Sequence, residues 1–268
     1  MKPLFAFLAL AALLSAQVNS PRAGVARFAD GTIRTVLGLP ANLLVSATPL
    51  AYADFASFSD AGGLVSRNGL IRLLGPDGSP VAEYASGETA PLLNIDGPLS
   101  TTIAWLPSQH ALLHWTGHSF SLTEVNISSL GGEATSVQTF GSDQARLLVT
   151  HPNASVSAIT LSLETGNVVS SDILPAAHGR AFAQHSFVVC ENPQGLVVES
   201  PDGLSRTVPL SAAGLPAGDL TIERMSSDWL HVSSASTGHD WVLFLNRTNL
   251  HLSVLPAPPA SSIEESAK

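Results

Sequence analysis

Three histidines, His110, His114 and His118, stand four residues apart, a spacing that on a helix would stack the imidazoles on one face as metal ligands. Their surroundings do not read as a helix. Ala111 to Trp115 has the apolar character of a strand and Thr116-Gly117 that of a turn, so His118 is expected to open the returning strand beside His114. Two imidazoles fall short of the four ligands that zinc ordinarily takes, and neither a metal nor a cofactor is assigned. Gly117-His118-Ser119 lacks the second glycine of a Gly-x-Ser-x-Gly elbow. Neither an Asp-x-Asp-x-Asp-Gly calcium loop nor a Gly-rich phosphate loop before a helix occurs. The single cysteine, Cys190, follows Phe187-Val-Val and reads as a small buried hydrophobe without an activating partner. Paired carboxylates for glycoside chemistry come from distant segments and leave no local spacing. No catalytic residue is assigned.

The elements that must position any site are strands. Past residue 16, apolar and β-branched runs alternate with clusters of Gly, Pro, Asn, Asp and Ser. Asp143 to Thr150 is the best helical candidate, yet Leu147-Leu-Val149 within it reads equally well as a buried strand. Hairpins can be written directly. Leu70 to Leu74 turns through Gly75-Pro-Asp-Gly78 and returns along Val81 to Tyr84. The device recurs at Ser200-Pro-Asp-Gly203, at Glu164-Thr-Gly166 and at Ala29-Asp-Gly31. Aligning on these turns gives units at residues 52 to 85, 101 to 126, 135 to 173, 179 to 210 and 219 to 255, with a partial unit at 25 to 47. The partial unit is expected to complete a blade with strands from the far end of the chain, so that the ring has no open edge.

Runs such as Ala158-Ile-Thr-Leu-Ser-Leu-Glu-Thr-Gly166 and Leu196-Val-Val-Glu-Ser-Pro-Asp-Gly203 resemble those of exported bacterial β-propellers of the broad YVTN and WD40-like class. The resemblance spans most of the chain. It implies an all-β propeller of five or six blades, each a four-stranded antiparallel unit; a pair of β-sandwiches and a β-solenoid are the rival architectures. In a propeller the first strand of each unit lines the central channel. That makes Asp54, Arg180 and Arg224 the candidate ligand contacts, with the two arginines expected to meet an acidic group at the channel mouth. Buried charges are costly unless paired, so the simpler reading is that these residues pair with one another or point to solvent. Trp105 and Trp115 fall on adjacent strands of one unit, and Trp229 and Trp241 on those of another. Each pair is read as core within its blade.

Lys2 precedes an unbroken apolar run, Leu4 to Leu14, and then Ser15 and Ala16, the plan of a secretory signal peptide cleaved after residue 16. The run is too short to cross a bilayer. The expected layout is a signal peptide at 1–16, a propeller domain at 17–255 and a disordered tail at 256–268. The expected destination is periplasmic or extracellular. A formal charge of −9 disfavours nucleic acid, and no membrane span should remain after cleavage. Three glycosylation sequons, at Asn126, Asn153 and Asn246, are read as idle in a chain with ten Arg and two Lys. The function expected is a non-catalytic scaffold that binds a protein or small-molecule ligand. The alternative is a propeller hydrolase or lyase acting on a sugar or lactone in the channel.

Overall fold

Short runs of alternating apolar residues separated by tight turns leave each strand nowhere to bury its faces except against another sheet. The turns require positive φ, as at Gly78 (φ 81°) between Leu70–Leu74 and Pro80–Ala85. In the computed structural model, which describes residues 21–40, 42–126, 128, 130–192, 195–200, 203–209, 220–246 and 250–259, these hairpins make six four-stranded antiparallel sheets in a propeller ring. Asp143 to Thr150 resolves as strand, Gln144–Thr150. Residues 1–16, read as a signal peptide, lie outside the described residues, as does 260–268 of the expected tail; Pro256 to Pro259 carries neither helix nor strand.

Blades 2 to 6 are regular. Each runs from an inner strand outward through three more, with inner strands Phe55–Ser59, Leu92–Ile95, Glu133–Phe140, Ala181–Gln184 and Leu220–Arg224. Apolar clusters fill every seam of the ring. Leu64, Ile71 and Leu73 of blade 2 meet Ile95, Ala104 and Leu113 of blade 3, and Ile103 and Leu112 meet Val137 and Leu147 of blade 4. The seam between blades 4 and 5 is built of smaller groups, including Ala158, Ala177, Ala181, Ala183 and Cys190. Burial pushes the Cys190 thiol up to about 11, which leaves it uncharged and inert. The tryptophans do not pair within blades. Trp105 faces blade 4 while Trp115 faces blade 2, and Trp241 packs towards blade 5 while Trp229 packs towards blade 1. Side chains alternate along a strand, and Trp105 pairs with Leu112 and Trp241 with Val232, so Trp115 and Trp229, each three residues from those partners, point to the opposite face.

Blade 1 departs from the plan. Its strands are Arg22–Arg27, Thr32–Leu39, Asn42–Val45 and Ala51–Tyr52, but the last two lie end to end on the same edge of Thr32–Leu39, so the sheet is three rows deep. The buried Arg34 guanidinium bridges the break, donating to the carbonyls of Ser46 and Ala47. Its first strand runs antiparallel to the inner strand of blade 6: the Ser226 hydroxyl donates to the Ala23 carbonyl, the Val25 amide to the Met225 carbonyl, and Arg27 pairs with Glu223. It also lies beside Trp229–Ser234, the second strand of blade 6. Direction and neighbours both place Arg22–Arg27 in the second row of a blade that has no inner strand among the described residues. Phe55–Ser59 therefore lies directly against Leu220–Arg224, and five strands form the hub while six sheets form the rim. The sequence suggests that strands from the far end of the chain complete the partial N-terminal unit; among the described residues none joins its sheet. The ring closes by contacts across a seam, with Leu255 buried among Ala23, Phe28, Val36 and Leu43.

Candidate functional site

The hub strands all start at one face of the ring, here the entrance, and end at the other, the exit. At the entrance their first residues enclose a cavity of about 290 Å³. Most of its wall is apolar: Phe55, Leu92, Leu93, Phe182 and Ile222 contribute partly buried side chains. Arg180 is the one cation among the lining residues, which also include the carboxylates of Glu133, Glu191 and Glu223.

Glu223 is already engaged. Its carboxylate receives Arg27 Nε at 3.0 and 3.1 Å and the Ala56 amide at 3.1 Å. Behind it, His231 is fully enclosed, with Nε2 2.8 Å from Asp240 Oδ1 and Nδ1 4.0 Å from Glu223. The longer distance is a through-space attraction rather than a hydrogen bond. Burial pushes the His231 pKa down, but Asp240 and Glu223 together outweigh it and hold the imidazole above its ordinary value. Arg27, Glu223, His231 and Asp240 form a row of alternating charges leading away from the cavity, which satisfies the expectation that buried ions are paired.

A second charged group stands at the exit. Asp96, just beyond the inner strand of blade 3, accepts Arg224 Nη1 and His185 Nδ1, each at 2.7 Å. Burial pushes the Asp96 carboxyl up, while the His185 hydrogen bond and the Arg224 charge more than offset this and leave its pKa below the ordinary value. Arg224 is fully buried. Its Nε and Nη2 have no partner among the described residues.

The three residues taken from the sequence therefore separate. Arg180 stands at the rim of the entrance cavity. Arg224 ends its strand at the exit and is held by Asp96, so the two guanidiniums do not share a mouth. Asp54 precedes the inner strand of blade 2, is exposed, and accepts the Asn68 amide at 2.9 Å; it caps a turn and does not line the cavity. The cavity residues that sequence reasoning passed over, Phe55, Glu133, Phe182 and Glu223, all belong to hub strands. His110 occupies a turn at one end of Ala111–Trp115 and His114 lies near the other; His118 precedes the returning strand, which begins at Phe120. No cluster of three metal-ligating side chains occurs among the described residues, nor is any helix there long and apolar enough to cross a membrane.

No protein-family model matches the chain, and no curated protein matches it in sequence. Solved structures do match in fold. The fucose-specific lectin from Aleuria aurantia is 12% identical over 89% of this chain and 92% of its own, with a TM-score of 0.51. A protein of unknown function from Bacteroides caccae is 11% identical over 90% and 97%, with a TM-score of 0.53. At such identities the likeness is one of fold, and it agrees with the propeller ring described above.

Proposed function

We propose that this protein is a non-catalytic binding propeller that holds a small ligand with an apolar body and both charges in the entrance cavity. One observation carries the reading: the cavity wall is mostly apolar, and the two exposed charges that line it, Arg180 and Glu133, are of opposite sign. Arg180 suits a ligand carboxylate and Glu133 an ammonium group, a division that a zwitterion of amino-acid size satisfies and a simple anion does not. The carboxylates and cations deeper in the hub are committed to one another, so they stiffen the walls and are not poised to exchange protons with a substrate. That favours a scaffold over a sugar or lactone hydrolase. A volume near the lower end of ordinary ligand pockets sets the size of the guest. The lectin of similar fold, fucose-specific by description, is consistent with a propeller used for binding. The apolar run after Lys2 supports export to the periplasm or medium.

Thermal denaturation of the purified protein with phenylalanine, phenylacetate, phenethylamine and methyl glucoside tests the assignment. Phenylalanine should raise the midpoint by several degrees at saturating concentration, and Arg180→Ala should remove the rise. Equal stabilisation by phenylacetate, or none by any compound, refutes it.

A further inference from the structure

Blades 3 and 4 diverge towards the exit. Along their seam Leu112 and Val137 belong to one apolar core. Two residues on, the same faces carry His114 and Thr139, because alternate residues of a strand share a face. A groove of about 760 Å³ begins there. Its lining includes His114, Ser121, Thr139, Ser142, Asp143 and Glu164. The groove is rigidly bounded. The Thr123 hydroxyl donates to the Leu163 carbonyl at 2.5 Å, and Gly166 packs so tightly on the Glu124 carbonyl that a methyl group there would overlap it.

Two features mark this groove. The side chains of Ser121, Thr139, Ser142, Asp143 and Glu164 make no hydrogen bond to another described residue, and His114 Nδ1 is buried without a partner among the described residues. Secondly, neither Lys nor Arg lines it. Two carboxylates without a cation repel phosphate and uronate ligands. Hydroxyls outnumber the carboxylates, so a lone ammonium would leave most of the lining unused. Burial holds His114 below its ordinary pKa, so near neutral pH the imidazole offers one donor and one acceptor. A guest rich in hydroxyls matches this inventory.

We propose that the groove between blades 3 and 4 binds a neutral saccharide, whose hydroxyls donate to Asp143 and Glu164 and exchange hydrogen bonds with Ser121, Thr139 and His114. The site is separate from the entrance cavity and does not depend on the function assigned to it.

Isothermal calorimetry of the full chain with cellobiose, maltose and lactose, with spermidine as a cationic control, tests the proposal. At least one disaccharide should bind in the millimolar range or tighter, with little dependence on salt. Asp143→Asn and Thr139→Val should each weaken it about tenfold, the scale of one lost hydrogen bond to a bound ligand. Arg180→Ala should leave it unchanged. Asp143 and Glu164 are exposed, so Asp143→Asn with Glu164→Gln should retain the fold, checked by circular dichroism, and abolish binding. No binding by any disaccharide, binding that survives the double substitution, or spermidine binding in place of sugar overturns the assignment.

Discussion

Asp96→Ala should be among the most damaging single substitutions outside the apolar seams. It strips the charged partner from Arg224, whose side chain is 0% exposed and whose Nε and Nη2 already lack partners among the described residues. Breaking a buried ion pair by removing one member costs about 3–5 kcal/mol. Asp96 retains 13% exposure, which argues for the lower figure of about 3 kcal/mol. For a chain of this size that corresponds to a fall in midpoint of roughly 6–12 °C. Arg224→Met combined with Asp96→Leu removes both charges and should return to within about 1 kcal/mol of the parent, since desolvation and attraction disappear together. Urea denaturation of the parent, Asp96→Leu, Arg224→Met and the double variant measures the coupling. The pH dependence adds an independent check. Because the Asp96 pKa is depressed in the fold, the contribution is present above the unfolded carboxylate value of about 3.9 and is lost as pH falls through the folded value. A single-variant loss below about 1 kcal/mol, or a double variant as weak as the two losses summed, would refute the coupling of this pair.

Four further outcomes follow from the packing. With the His231 pKa raised in the fold, the stability it contributes is complete below about pH 6.5 and declines as pH rises through the folded value; His231→Phe should flatten that slope in a pH series of urea midpoints. Gly166→Ala places a side chain at φ 69° against the Glu124 carbonyl and should cost about 3 kcal/mol by denaturant titration. Cys190, with its thiol pushed up to about 11, should resist a thiol reagent such as dithionitrobenzoate in the native protein and react on unfolding in guanidinium. Glu223→Gln weakens the partnership with Arg27 at 3.0 Å and lowers the attraction on His231, so thermal denaturation should show a loss that grows towards acid pH, where the imidazolium loses a neighbour.

The strand-and-turn grammar was readable because it is local. The Leu70–Leu74 hairpin and the unit ending at Pro209 stand where the turn residues implied. Blade 3 begins earlier than expected, since its inner strand, Leu92–Ile95, is four residues squeezed between Pro91 and Gly97 and has no alternation to announce it. Charged partners were illegible for a different reason: Arg224 and Asp96 are 128 residues apart, and Arg27 and Glu223 are 196 apart. Only closure of the ring makes them neighbours. The row shift in blade 1 was hidden as well, because a strand in the second row has the same composition as one in the first.

Among the described residues, five strands at the hub and six sheets at the rim give the ring a marked angular position. The hub is already closed without residues 22–52, because the inner strands of blades 2 and 6 touch. Blade 1 behaves as a wedge driven into the circumference, gripping Val242 and Met225 on one flank and Phe58 and Val65 on the other. A gene that gained or lost this single segment would pass between five-fold and six-fold rings without redrawing the axis, and the two apolar flanks are all that would have to find a new neighbour.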